Sequence, residues 1–198
     1  MRIIDSFISI VMHAGLPVRR FIDAQNKRGR RKYIMHSHIV HPIPPVYNEE
    51  SRILILGSFP SVKSREAGFF YGHPQNRYWK VLAAVFRDSF PETVPERRAF
   101  LLRHRIAAWD VIASCDIEGS SDSSIRNVAA NDLSAILNAG DIRHIYTNGK
   151  TAWRLYQKYT APVLGRDSIC LPSTSPANAA WNIERLTEAW SVILEDFI

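Results

Sequence analysis

Ile53-Leu54-Ile55-Leu56-Gly57, followed by SFPSVKSREAGFFYGHPQNRYW over residues 58–79, is the stretch whose reading decides the fold. A short apolar run closed by a glycine reads as a strand covered on both faces, as central strands of parallel sheets are. A helical pattern follows from Arg77 to Phe86, with Trp79, Leu82, Ala83 and Phe86 on one stripe. The order strand, long loop, helix places the loop at the carboxyl end of a buried strand. In open α/β sheets that edge forms the ligand crevice, because helix N-termini and loop N–H groups converge there.

The loop has the chemistry for a flat heteroaromatic ligand. Phe69, Phe70 and Tyr71 are consecutive aromatics on which a ring can stack, and His73, Gln75 and Asn76 can hydrogen-bond its edge. Each also has a plain structural reading: three aromatics in a row pack cores, and an Asn before a helix is an N-cap.

Outward from this stretch the pattern alternates. Glu96 to His104 reads as a helix, Ala107 to Ala113 as a strand running into a Ser-rich loop at Ser114 to Ser124, and Asn131 as the N-cap of a helix through Asn138. Ile142 to Thr147 reads as a strand, Asn148 and Gly149 as the turn into a helix ending near Tyr159, and Ser168 to Leu171 as the last short strand. Ser175 with Pro176 reads as the capped start of a terminal helix reaching Phe197. Strands alternating with helices predict an α/β three-layer sandwich, with a short parallel central sheet flanked by helices. Gly149-Lys150-Thr151 resembles the end of a phosphate-binding P-loop, but His144 stands where that motif's first glycine belongs.

Charge divides the chain. Eight of its 25 Lys and Arg but only two of its 19 Asp and Glu lie before Met35, so the net charge of +6 belongs to residues 1–34 and the remainder is balanced. Residues 1–34 are therefore expected to be a basic, flexible N-terminal extension, and residues 35–198 the folded domain. Within the domain, basic residues outnumber acidic ones ten to four between Arg52 and Arg105, which predicts a polarised face around the loop. His36, His38 and His41 fall in a proline-rich, extended lead-in with no completing carboxylate or Cys spacing, and read as flexible surface histidines. Cys115 and Cys170 lack metal-ligand spacing and fit a reducing compartment. No metal and no cofactor is expected. No apolar run reaches the roughly 18 to 20 residues of a membrane span, and no secretory signal is visible. The chain is expected to be a cytoplasmic monomer with no membrane partner.

GSFPSVKSRE (Gly57 to Glu66) with GFFYGHPQNRYWKVL (Gly68 to Leu82) resembles the hypoxanthine-DNA glycosylase (DNA-deoxyinosine glycosylase) group of the uracil-DNA glycosylase superfamily, and is also similar to the mismatch-specific uracil-DNA glycosylases. PSTSPANAAW (Pro172 to Trp181) resembles the superfamily's late active-site loop; with GSSDSSI and TNGKTA between, the resemblance covers about Met35 to Ile198. It implies an enzyme that hydrolyses the N-glycosidic bond of a flipped-out deaminated base in double-stranded DNA, hypoxanthine first, uracil or mismatched thymine as alternatives.

By the same resemblance, Asn76 is the catalytic residue, and Gly57, Ser58, Phe59, Phe70, Tyr71 and His73 line the base site, with Tyr71 or Phe70 stacking on the base. Ser61, Lys63, Ser173, Thr174, Ser175, Pro176, Ala177 and Asn178 are implied DNA contacts. The sequence departs from the superfamily at Phe59, where many relatives carry an Asp or Asn that orients water, and at Ser173, where several carry His or Asn. Those departures would also fit a noncatalytic nucleic-acid or nucleotide-binding module of the same fold; the intact aromatic loop with Asn76 favours the enzyme.

Overall fold

A computed structural model describes residues 19–25 and 31–198. The chain forms β1 (Arg19–Gln25), β2 (Arg31–Val40), β3 (Ile53–Gly57), α1 (Val62–Ala67), α2 (Tyr78–Phe86), α3 (Val94–Arg103), β4 (Ile106–Asp110) and β5 (Ile112–Ile117). It continues through β6 (Arg126–Ala130), α4 (Ser134–Ala139), β7 (His144–Asn148), α5 (Lys150–Tyr159), α6 (Ala161–Leu164), β8 (Ile169–Leu171) and α7 (Ile183–Trp190), and ends in a 3-10 turn, Ser191–Phe197. No helix among the described residues is long and apolar enough to cross a membrane.

Two units are distinguished. The first comprises the described residues up to Val40 together with residues 114–128. Its sheet has the order β1-β2-β5-β6, with β2 antiparallel to both β1 and β5. Of the extension expected over residues 1–34, residues 1–18 and 26–30 lie outside the described residues; the others supply β1 and the beginning of β2.

The second unit, residues 41–113 and 129–198, is built on a parallel sheet of order β4-β3-β7-β8. The period-2 alternation of β3 decides its layers. Ile53 and Ile55 pack into one buried cluster with Tyr78, Trp79, Leu82 and Val85 of α2, Phe100 of α3, and Leu186 and Trp190 of α7. Leu54 and Leu56 face the other way, onto Leu133, Ile136 of α4 and Tyr156 of α5. All five residues of β3 are buried, so the expected central strand and three-layer α/β sandwich are present.

Three local readings are corrected. Ala107 to Ala113 is two strands rather than one, because the chain turns at Val111. The side-chain amide of Asn131 holds that corner, donating to Asp110 O at 2.9 Å and Ile112 O at 3.1 Å. Asn131 is thereby engaged, and α4 starts at Ser134 without it. Ser175 and Pro176 do not start the terminal helix either: Asn182 caps α7, its Oδ1 accepting from Arg185 N at 3.0 Å. A short helix, α1, interrupts the loop after β3, capped by Ser61 and ended by Gly68 at φ 63°.

Residues 174–181 are held instead by Arg77. Its Nε donates to Thr174 O (3.2 Å), one terminal nitrogen donates to Ser175 O (2.5 Å) and Asn178 O (3.1 Å), and the other donates to Trp181 O. Arg77 N also donates to Thr174 O at 3.1 Å. The planar guanidinium fork suits this divergent set of carbonyls, which a single ammonium could not span. Arg77→Lys should therefore keep the charge and lose about 2 to 4 kcal/mol of stability in denaturant unfolding; a loss below about 1 kcal/mol, the net worth of one neutral hydrogen bond, would mean that water serves these carbonyls equally well.

Candidate active site

The carboxyl ends of β3, β4 and β7 bring Gly57, Asp110 and Asn148 to one edge of the sheet, and the chain after β8 adds Thr174. Gly57 is a glycine here for a spatial reason. A Cβ at that position would lie 2.1 Å from Asp110 Oδ1 and 3.3 Å from the Tyr71 hydroxyl, so the missing side chain admits both groups. Asp110 is buried, and its Oδ2 is 2.8 Å from His41 Nε2. The tautomer follows from the backbone: His41 Nδ1 accepts from Ile43 N–H at 3.2 Å, so the proton sits on Nε2 and is donated to Asp110. His41 is thus a buried partner of a carboxylate, not a flexible surface histidine; His38 does lie at the surface, 2.8 Å from Asp116.

Two aromatics of the loop point inward. Phe69 and Phe70 are buried against Trp79, and Phe70, only 2% exposed, belongs to the core rather than to a wall on which a base could stack. Tyr71 takes a left-handed backbone conformation, φ 52°, which turns its ring onto Tyr78 with centroids 3.7 Å apart and planes 21° off parallel. The hydroxyls of Tyr71 and Tyr78 are buried and make no hydrogen bond of normal geometry; the Asn148 amide is the polar group beside Tyr71. Burial, then the charge of Asp110, pushes the Tyr71 hydroxyl far above the ordinary tyrosine value, so it stays protonated as a donor. Each orphaned buried hydroxyl costs about 1 to 3 kcal/mol, a large share of a typical domain's stability.

Asn76 lies beside this cluster. Its Oδ1 accepts from Tyr78 N–H and from the Thr174 hydroxyl, both at 2.9 Å, while its Nδ2 makes no hydrogen bond among the described residues. The helix-capping reading is therefore half of the answer: the carbonyl end ties down the entry of α2 and the amino end is left over.

The remaining predicted residues divide by surroundings. Phe59 is 7% exposed, its ring edge-on to His41 at 5.7 Å and 5.9 Å from the Arg65 guanidinium, so it can pack but cannot orient water. The carbonyl of Ser58 accepts from Ile112 N. Ser61 caps α1, and Lys63 is exposed and paired with Glu66 at 2.8 Å. His73 Nδ1 accepts from Gln75 N. In the late loop Thr174 is fully buried and its hydroxyl is taken, which corrects the expectation that it contacts DNA. Ser173 abuts Gly149 and accepts from Ser175 N; Asn178 Nδ2 donates to Ser173 O, and Pro176 and Ala177 are exposed.

Asp110, His41 and Asn148 are not among the site residues expected from the sequence, where His41 reads as a surface histidine and Asn148 as a turn residue. A lone carboxylate inside the apolar run AAWDVIA was the available signal for Asp110, obscured by reading the run as one strand. Among the described residues no group of three His, Cys, Asp or Glu is arranged to hold a metal.

The uracil DNA glycosylase superfamily model matches residues 44–195. A hypoxanthine DNA glycosylase from Methanosarcina acetivorans is 33% identical over 152 residues, covering 76% of this chain and 94% of the relative. A protein of the same name from Methanosarcina barkeri is 31% identical over 137 residues, covering 68% and 85%. The solution NMR structure of a candidate uracil DNA glycosylase from Methanosarcina acetivorans superposes with a TM-score of 0.68 at 29% identity, over 81% of this chain and 100% of that one. With its parallel sheet, its aromatic loop at the carboxyl edge and a family match spanning most of its length, the chain belongs to the uracil DNA glycosylase superfamily.

Proposed function

We propose that the protein is a monofunctional DNA glycosylase that releases hypoxanthine from deoxyinosine in double-stranded DNA, acting as a cytoplasmic monomer without a metal. The observation that carries this reading is the unpartnered amide nitrogen of Asn76 beside a buried tyrosine pair and the Asp110 carboxylate. The names of the Methanosarcina relatives support the choice of base.

A base is reached only after its nucleotide is rotated out of the helix. The bond from C1′ to the base nitrogen then breaks with its electron pair leaving on the base, and the sugar becomes oxocarbenium-like. Water adds at C1′ and loses a proton, and the departing base takes one up; the products are free base and an abasic site. In this scheme Asn76 donates to the base as negative charge develops on it, in a site where a fixed donor is worth more than in water. Asp110, which accepts from His41 Nε2–H, is placed to accept the lactam N–H of hypoxanthine and to disfavour the bare ring nitrogen that adenine presents there. Uracil carries a comparable lactam N–H, which is why it is the competing substrate.

A panel of duplexes with deoxyinosine, deoxyuridine, deoxyxanthosine or a G·T mismatch, scored for abasic sites, tests the proposal. Hypoxanthine release unaffected by EDTA, with strand breaks appearing only after alkali, is the expected result. Release of another base in preference, no release, or loss of activity on chelation would overturn it.

Asn76→Asp separates donor from cap. The substituted carboxylate still accepts from Tyr78 N–H and Thr174, and a negative charge at a helix start is tolerated, so the variant should fold. It loses the donor, and single-turnover release should fall at least roughly a hundredfold, as for removal of one preorganised donor. Asn76→Ala should lose as much rate and, in addition, about 0.5 to 2 kcal/mol of stability. Near-normal release by folded Asn76→Asp would end the donor assignment.

A further inference from the structure

The hydrogen bonds behind Asn76 form a chain whose every proton is determined by two backbone amides. Thr174 N–H is a donor only, so the atom of the Asn148 side chain that faces it at 2.9 Å must be the carbonyl Oδ1. Asn148 Nδ2 then faces Thr174 Oγ1, also at 2.9 Å, and donates to it. With that oxygen accepting, the single hydroxyl proton of Thr174 goes to Asn76 Oδ1 at 2.9 Å. Tyr78 N–H, again a donor only, reaches the same Oδ1 at 2.9 Å and independently forbids the flipped amide. Both amino hydrogens of Asn76 are left for a ligand.

We propose that Asn148 and Thr174 are positioning residues that commit Asn76 to act as a hydrogen-bond donor. This rests on the glycosylase reading and adds what that reading leaves open, since an Asn in an active site can equally hold water through its carbonyl. Here that carbonyl is doubly engaged and turned inward. Asn76 therefore meets the departing base, or a water, with N–H groups alone, and it never removes a proton from the water. The polarity runs from the end of β7 through the late loop to the start of α2, and each link joins segments far apart in the chain: Asn148 and Thr174 are 26 residues apart, and Asn76 and Thr174 are 98 apart.

The full-length protein with Thr174→Val, Thr174→Ser and Asn148→Asp tests the relay. Thr174→Val keeps the shape and removes the hydroxyl, leaving Tyr78 N–H as the single remaining bond on Asn76 Oδ1 and so loosening the amide. Asn148→Asp puts an acceptor opposite the Thr174 hydroxyl, which then turns its proton away from Asn76. Single-turnover release at saturating duplex should fall roughly tenfold or more in both, the loss expected when one orienting hydrogen bond goes, with duplex affinity little changed. Thr174→Ser, which retains the hydroxyl, should keep most of the rate.

A second readout does not depend on turnover. The side-chain amide signals of Asn76 in a nitrogen–proton correlation spectrum, identified by their absence in Asn76→Asp, should be a single pair in the wild type and Thr174→Ser. They should be displaced or doubled in Thr174→Val and Asn148→Asp. Unchanged Asn76 signals and a wild-type rate in Thr174→Val, or a Thr174→Ser variant as slow as Thr174→Val, would overturn the relay. A wild-type protein that releases a different base, or none, would overturn the hypoxanthine reading alone, because the amide signals report on the relay directly.

Discussion

One side chain, Arg77, joins the two segments on which the site depends. Asn76 and Thr174 are 98 residues apart, and bringing such distant segments together costs loop-closure entropy that something must offset. The guanidinium does so by collecting the carbonyls of Thr174, Ser175, Asn178 and Trp181, and its own backbone N–H reaches Thr174 as well. Because Arg77 directly follows Asn76, the clamp and the Asn76 amide share one short piece of chain. A displacement of the late loop reaches Asn76 both through Arg77 and through the Thr174 hydroxyl.

The orienting network is neutral throughout. Asn148, Thr174 and Asn76 are uncharged, and the two anchoring donors are backbone amides. In a buried setting that choice matters: ions carry a desolvation penalty of several kcal/mol each, whereas a fully satisfied neutral network is held by its geometry. The carboxylate at this edge of the sheet, Asp110, is stabilised by a proton from His41 and lies at the end of a different strand. Under the proposed donor role, Asn76 would act with no change in its own protonation, as suits a reaction driven by the electrophilic sugar rather than by a strong base.

Much of this was legible in the sequence, and the parts that were not share a cause. The run Ile53 to Gly57 declared a buried parallel strand because both of its faces had to be apolar, and the layers follow from its alternation. Asn76 was reached by resemblance, and its capping role by position. The misreadings lie where a polar side chain serves a distant backbone. Asn131 resembles an N-cap in sequence but is occupied at the corner between β4 and β5. Ser175 and Pro176 have the form of a helix start, yet Arg77 holds that segment as a loop and the helix waits for Asn182. His41 reads as a loop histidine until Asp110 is found beside it. Local pattern carries no trace of a partner tens of residues away.

The charge distribution bears on how a balanced domain can face a polyanion. The excess of positive charge lies before Met35, and from there on the acidic and basic residues are equal in number. Under the glycosylase reading, phosphates must therefore be met by arrangement rather than by net charge. In the late loop the carbonyls of Ser175, Asn178 and Trp181 are all drawn onto Arg77, while Pro176 and Ala177 stand exposed. Turning those partial negative charges onto an internal cation removes repulsion that a nearby phosphate would otherwise feel. The same guanidinium that holds Thr174 behind Asn76 thereby makes the outer face of the loop less hostile to a phosphate, so under the proposed function one residue would serve both the placing of the Asn76 amide and the admission of DNA.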